Sequence, residues 1–273
     1  MTLPIDQIIC GESLSTLKTF PDNSIDIVFT SPPYNFDMDY GEYGDEMPYD
    51  KYLETINGIF SECHRALKEG GRMIINIAPS FPRQQPNHHM ITNHLTSEGM
   101  IWMGEIIWMK NNFSGGTAWG SWKSPSAPTL CRPYEFICLF GKGSVKHKGK
   151  KEDIDITRDE FLNFRNAHWT IQAETRMRKK YGHPAMFPEQ LVYQSLKMFS
   201  YQNDIVVDPF NGAGTTSAVC QRMNRRFIGI DMDENYCNTA RERLNDVEGT
   251  LPFEEVVEEK PEESDLSALF DAV

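Results

Sequence analysis

The chain predicts an α/β fold, a mostly parallel sheet flanked by helices, on three observations. Short apolar runs of strand length recur from residue 5 to residue 231. Between them lie stretches with the 3.6-residue apolar period of amphipathic helices. Strands that alternate with helices in this way are joined by crossovers, which makes the sheet parallel.

In chain order, "IDQIICG" (5–11) and "IDIVFT" (25–30) read as strands joined by the short helix-like "ESLSTLKTF". "YDKYLETINGIFSECHRALKEGG" (49–71) reads as a helix with Tyr52, Ile56, Ile59, Phe60, Cys63 and Leu67 on one face and Gly70-Gly71 as its stop. "RMIINIA" (72–78) is the next strand, a helix follows over 86–98, and "MIWMGEIIWMK" (100–110) and "YEFICLFGKG" (134–143) are further apolar stretches. Towards the C-terminus come a helix in "FPEQLVYQSLKMFS", a strand in "DIVVDPF", a helix from Thr215 to Met223, strand "RFIGIDMD" and helix "ENYCNTARERLNDV".

At 273 residues the chain is expected to form one large domain with an insertion. No apolar run approaches the ~18 residues of a membrane span, and "MTLPIDQIICGESL" has no basic and apolar leader, so a cytoplasmic protein is expected. Cys10, Cys63, Cys131, Cys138, Cys220 and Cys237 are scattered without a C-x-x-C pair, which favours reduced thiols over zinc. His88, His89 and His94 have no carboxylate or thiol among them and read as a polar helix face. No metal is expected.

Net charge is −12, but it is unevenly spread. The last 22 residues carry eight acids and one lysine, whereas 141–180 hold eleven Lys and Arg against six acids. A phosphate backbone responds to the local field, so overall acidity does not exclude nucleic acid. The expected organisation is a catalytic domain over 1–140 and 181–250, a basic insertion over 141–180, and an acidic, disordered tail over 251–273. Residues 111–133, rich in Gly, Ser, Pro and Trp, read as a long functional loop containing Trp119 and Trp122.

Two loops carry chemistry. In "DIVVDPFNGAGTTSAVC" (204–220) a buried strand ends at Asp208, and Gly212 and Gly214 allow a ligand close to the backbone before a helix starts near Thr215. The strand ending in Asp231 follows about 20 residues later, where a carboxylate can accept hydrogen bonds from a ribose diol. The turn lacks the lysine of a P-loop and the third glycine of a dinucleotide fingerprint. An acid at Asp208 disfavours a diphosphate and favours a cationic ligand, which suits S-adenosylmethionine.

The other loop is "TSPPY", residues 30–34. An exocyclic amine on a nucleobase is a poor nucleophile, because its lone pair is delocalised into the ring. Acceptors must hold its hydrogens and turn the lone pair towards a methyl donor. Ser31 offers a hydroxyl, Pro32 a carbonyl on a rigid backbone, Pro33 fixes the turn, and Tyr34 offers a face for a flipped base, a stack worth roughly 1–3 kcal/mol.

Together these residues resemble the DNA amino-methyltransferases, which methylate cytosine N4 or adenine N6. Ser31-Pro32-Pro33-Tyr34 resembles their catalytic motif IV, and Asp208-Pro209-Phe210-Asn211-Gly212-Ala213-Gly214-Thr215-Thr216 their cofactor motif I. "FIGIDMDENY" resembles the next cofactor strand, "HPAMFPEQL" with Phe187 the segment near the cofactor's methionine end, and "CGESL" with Cys10 and Glu12 the segment flanking its adenine. Catalytic motif before cofactor motif is the family's β arrangement. The resemblance implies a Rossmann-like, seven-stranded S-adenosylmethionine-dependent methyltransferase fold with one antiparallel strand, and a target-recognition region in 141–180.

Members with Ser-Pro-Pro-Tyr are mostly cytosine-N4 enzymes, so Ser31 favours cytosine, with adenine N6 the alternative. Methylation of RNA or protein amides, and a catalytically silent DNA-binding module, are the further alternatives. Double-stranded DNA is the expected partner, with Lys146, Lys148 and Lys150 on phosphates and His168, Trp169, Arg176 and Arg178 near base edges. A restriction-modification system with a separate endonuclease, or an orphan methylation system without one, and a monomer or homodimer complete the expectation.

Overall fold

The computed structural model describes residues 2–34, 47–79, 85–111, 123, 125–126, 128, 130–175, 180–181 and 186–246, and the backbone of 39–40 and 43–44. Arg176, Arg178, Trp119, Trp122 and the acidic tail lie outside the described residues.

Eight strands form one sheet: β1 (Gln7–Cys10), β2 (Ile25–Thr30), β5 (Leu67–Ile77), β6 (Met100–Met109), β7 (Tyr134–Lys142), β8 (His168–Thr170), β9 (Ile205–Asp208) and β10 (Arg226–Asp231). Their order across the sheet is β1-β10-β9-β2-β5-β7-β6-β8, and a separate two-residue hairpin pairs β3 (Asp39–Tyr40) with β4 (Tyr43–Gly44). Only β7 runs against the others. β2 lies between β5 and β9 with every residue buried, which is why it reads as one apolar run rather than an alternation.

The α-helices named among the described residues are α1 (Ser13–Leu17), α2 (Tyr49–Ala66), α3 (Asn87–Ser97), α4 (Arg158–Phe164), α5 (Glu189–Phe199), α6 (Thr215–Arg222) and α7 (Glu234–Asn245). α2 buries Tyr52, Ile56, Ile59, Phe60 and Cys63, the face the apolar period predicts. Its end differs from expectation: Leu67 is already extended (φ −60°, ψ 139°) and opens β5, so Gly70-Gly71 do not stop the helix. A Cβ on Gly70 (φ +80°) would sit 2.4 Å from the carbonyl oxygen of Lys146, so this glycine admits a crossing chain segment.

That crossing segment belongs to 141–180, which is not a detached insertion. Leaving β7, the chain passes beneath the N-terminal ends of β5, β2 and β9. Lys142 Nζ donates to the carbonyls of Leu67 (2.7 Å) and Arg65 (3.0 Å), and His147 Nε2 meets Asp204 Oδ2 at 2.7 Å. The wholly buried Arg225 guanidinium pairs with Asp155, Nη2 to Oδ1 at 2.8 Å. The chain then forms α4 and adds β8 to the sheet edge, parallel to β6. Trp169 is therefore core, its Nε1 donating to the Phe164 carbonyl at 2.9 Å, and it does not reach base edges. Sequence reading missed β8 because three residues are too few to show a period.

His88 also departs from expectation. It is buried and stacked on Phe136 (ring centroids 4.5 Å), and burial first, with His89 beside it, pushes its pKa down to about 4. A neutral ring against an aromatic fills space as an apolar side chain does, so the three histidines do not form one polar face.

Candidate active site

β9 leads onward to β10 on one side and β2 leads onward to β5 on the other, so the sheet's connections diverge between β2 and β9. A crevice opens at the carboxyl ends of strands at such a divergence. The cavity there measures about 570 Å³, and Ser31, Pro32, Pro33, Tyr34, Glu12, Phe187, Pro209, Phe210, Gly212, Thr215 and Asp231 all line it. The two loops singled out in sequence thus face one space, although about 180 residues separate them.

Asp208 has a different place from the one expected. It is 1% exposed and does not line the cavity. Its Oδ1 accepts from Thr30 Oγ1 (2.6 Å) and the Phe210 amide (3.1 Å), and its Oδ2 accepts from Thr216 Oγ1 (2.6 Å). Asp208 therefore ties the end of β2 to the first turn of α6, and so sets Ser31 against the glycine loop. Burial raises its pKa to about 6, against the lowering effect of these hydrogen bonds.

The glycine loop is held from several sides. The Gly212 amide (φ +49°) donates to Asp231 Oδ2 at 2.8 Å. Ser13 Oγ donates to the Pro209 carbonyl at 2.6 Å. Gly214 (φ +77°) caps α6, and a Cβ there would stand 2.8 Å from Ala240 Cβ, so Gly214 serves the packing of α6 on α7 rather than the cavity wall. Arg243 Nη1 donates to Thr215 Oγ1 (3.1 Å) while its Nη2 pairs with Glu189 at 2.5 Å.

Asp231 lines the cavity, and its pKa is raised, because burial outweighs the amides of Asp233 and Gly212. Glu12 lines it too, but its carboxylate accepts from the amides of Leu14 (2.8 Å) and Ser15 (2.6 Å) as the N-cap of α1. Cys10 is exposed and does not line the cavity. Phe187 packs edge-on against Phe29 of β2 with centroids 5.7 Å apart.

At the other end of the cavity, Ser31 Oγ and Tyr34 Oη lie 3.0 Å apart, and Tyr34 Oη donates to Glu135 Oε2 at 3.1 Å. Asn76 Nδ2 donates to the same carboxylate oxygen at 2.7 Å, and Lys110 Nζ to the other at 2.5 Å. Tyr52 Oη donates to the Pro33 carbonyl at 2.9 Å and so braces the double proline. Asn76, Lys110 and Glu135 were missed in sequence. The signal for Asn76 and Glu135 was a lone polar residue in an apolar strand, "MIINIA" and "YEFICLF", since a polar side chain buried in a core needs a reason; Lys110, just past the end of β6, had no such mark.

The basic residues expected on DNA are placed elsewhere. Lys146, Lys148 and Lys150 are exposed on the crossing segment at the N-terminal edge of the sheet. Along β5, Arg72–Ile75 lie between that edge and Asn76 on the cavity wall, about 13 Å at ~3.3 Å per residue. His168 is exposed on the edge strand β8, opposite Ile107.

A doubly wound sheet with a glycine loop, an acid on the cavity wall and a Ser-Pro-Pro-Tyr corner in one crevice defines an S-adenosylmethionine-dependent methyltransferase. Residues 25–242 match the model of the N6/N4 DNA methylase family, and the chain belongs to that family. It is 30% identical over 247 residues to the Type II methyltransferase M.HpaI of Haemophilus parainfluenzae, spanning 88% of this chain and 74% of that one. Among solved structures, a DNA modification methylase of Thermus thermophilus complexed with S-adenosyl-L-methionine superimposes with a TM-score of 0.71 at 25% identity, covering 89% of this chain and 95% of that chain. The cytosine-N4-specific PvuII DNA methyltransferase shares the fold, with a TM-score of 0.67 at 19% identity over 97% of this chain and 90% of that one. This protein is an S-adenosylmethionine-dependent DNA methyltransferase of the N4/N6 class. Among the described residues, no helix is long and apolar enough to cross a membrane.

Proposed function

We propose that the enzyme methylates the exocyclic N4 of cytosine in duplex DNA, as the protective half of a restriction-modification system whose endonuclease is a separate protein. The observation that carries the cytosine reading is Ser31, a hydroxyl rather than a carboxylate at the head of the Pro-Pro-Tyr corner. Family members with that serine are mostly cytosine-N4 enzymes.

In this reading S-adenosylmethionine lies along the 209–215 loop. Asp231 accepts from its ribose, Glu12 lies beside the adenosine, and Phe187 packs near the methionine end. The target cytosine leaves the helix stack and lies against Tyr34. The Ser31 oxygen and the Pro32 carbonyl take the two amine hydrogens, which turns the nitrogen lone pair towards the methyl carbon. The nitrogen pair then forms the new C–N bond as the C–S pair passes to sulfur. No covalent intermediate with the protein is needed, so positioning supplies much of the acceleration. Charge selection, expected of Asp208, falls to the acids that line the cavity. DNA approaches the cavity mouth rather than the lysine-bearing edge.

Nucleoside mass spectrometry of DNA methylated by the purified enzyme tests the proposal. N4-methylcytosine is expected, and N6-methyladenine overturns the base assignment while leaving the enzyme class intact.

A further inference from the structure

We propose that Glu135 is a positioning residue that makes the Ser31 hydroxyl an acceptor towards the target amine and then takes up the proton that the amine releases; this rests on the reading of Ser31 as the holder of that amine. A hydroxyl both donates and accepts. With its proton turned to the target, Ser31 would donate into the lone pair that has to attack the methyl group. The proton must therefore be committed elsewhere.

The structure gives it a direction. Tyr34 Oη stands 3.0 Å from Ser31 Oγ and has one proton of its own. Among the described residues its candidate acceptors are Ser31 Oγ itself, Glu135 Oε2 at 3.1 Å and the Asn76 backbone carbonyl at 3.4 Å. Of these the carboxylate alone is charged, so Tyr34 donates to Glu135 and its oxygen is left to accept from Ser31. The Ser31 proton then points at Tyr34 and the Tyr34 proton at Glu135 on β7, which leaves a Ser31 lone pair for the target amine.

Two donors hold Glu135 in place, Asn76 Nδ2 at 2.7 Å and Lys110 Nζ at 2.5 Å. The Asn76 amide cannot be reversed, because its oxygen would then face the carboxylate. Asn76 is 1% and Glu135 9% exposed, so the carboxylate end of the chain of hydroxyls is held in a buried setting.

The same path closes the proton balance. When the C–N bond forms and the C–S bond breaks, the nitrogen becomes cationic and must lose one hydrogen as a proton. Ser31 Oγ receives that proton and passes its own to Tyr34. Tyr34 passes its own to Glu135, which becomes the neutral acid and releases the proton to solvent after product leaves. Glu135 thus supplies, from another strand, the carboxylate that a serine-headed corner lacks.

Single-turnover methyl transfer from labelled S-adenosylmethionine to unmethylated duplex DNA tests this with Glu135→Gln, Glu135→Asp, Tyr34→Phe and the Glu135→Gln/Tyr34→Phe double variant of the full chain. A Gln at 135 can donate to Tyr34 and reverse the polarity, so the rate should fall about a hundredfold. Affinity for S-adenosylmethionine should stay within about twofold, a control on folding, because the cofactor loop does not touch Glu135. Asp should restore part of the rate. Losses in the double variant should not multiply, since both residues serve one path.

A Gln variant within threefold of wild type, or losses that multiply, overturns the inference. Should the Gln variant fail to fold, Tyr34→Phe, which keeps the stacking ring, decides alone: about tenfold or greater loss of rate supports the relay and an unchanged rate refutes it. The methylated nucleoside formed by wild type reports on the proposed function separately. N6-methyladenine with a crippled Gln variant upholds the relay and overturns cytosine. N4-methylcytosine with an active Gln variant does the reverse.

Discussion

Replacing Asp208 by Asn should remove a pH-dependent part of the protein's stability. The carboxyl is fully buried, and its pKa rises from an ordinary 3.8 to about 6, first through burial and in smaller part through the charge of Asp231. A rise of that size corresponds to ~3 kcal/mol between the two protonation states. The folded protein holds this proton more tightly than the unfolded chain does. The stabilisation from protonation is thus complete below about pH 4 and is lost as the pH rises through about 6. Asn resembles the protonated acid in shape and hydrogen-bonding capacity, and it does not titrate. At pH 4.5 the variant should be ahead by only ~1 kcal/mol, because most of the wild-type loss comes at higher pH. By pH 8 the variant should be the more stable by up to ~3 kcal/mol, or roughly 6–12 °C for a protein of this size. Thermal unfolding followed by circular dichroism across pH 4.5–8 reads the difference directly. A gap between the two proteins that does not change over this range refutes the assignment of Asp208 as a buried, titrating latch. The ionised form remains the better acceptor for the two threonine hydroxyls, so methyl transfer should be slower in the variant even where it is more stable.

Gly214→Ala must adopt φ +77° with its Cβ 2.8 Å from Ala240 Cβ, and should cost ~2–5 kcal/mol of stability, seen as a lower urea midpoint. Tyr34→Ala should reduce turnover and base flipping, read with a fluorescent base analogue, while cofactor affinity stays within about twofold. Equal loss of both would count against a base-stacking role. Reversing charge at Lys148 and Lys150 should leave single-turnover methylation within about threefold at ~0.15 M salt, because these residues stand more than a Debye length from the cavity. A loss of ten times or more would mean that DNA wraps to the far edge of the sheet.

Much of the fold was legible because the helical and strand periods report burial directly. The buried face of α2 and the continuous apolar run of β2 came from pattern alone. Places where the reading failed share a cause. The end of α2 at Ala66 is set by pairing of Leu67 with Ile25, a long-range contact with no local mark. Gly70 looked like a helix stop because a glycine's reason, here the nearby backbone of Lys146, lies outside its own neighbourhood. The anchors of 141–180, His147 on Asp204 and Asp155 on Arg225, are likewise partners that only folding brings together.

Sequence alone determined the α/β class, the two loops at strand ends and the family they resemble, because each is written in contiguous residues whose spacing carries the chemistry. Tertiary structure decided which acids face the crevice. Asp208 and Asp231 end neighbouring strands in the same way, but the threonines from β2 and α6 enclose the first and leave the second on the cavity wall. It also decided that Ser31, Tyr34, Asn76, Lys110 and Glu135 form one connected corner, since hydrogen bonds between four elements depend on register and packing that no local pattern encodes.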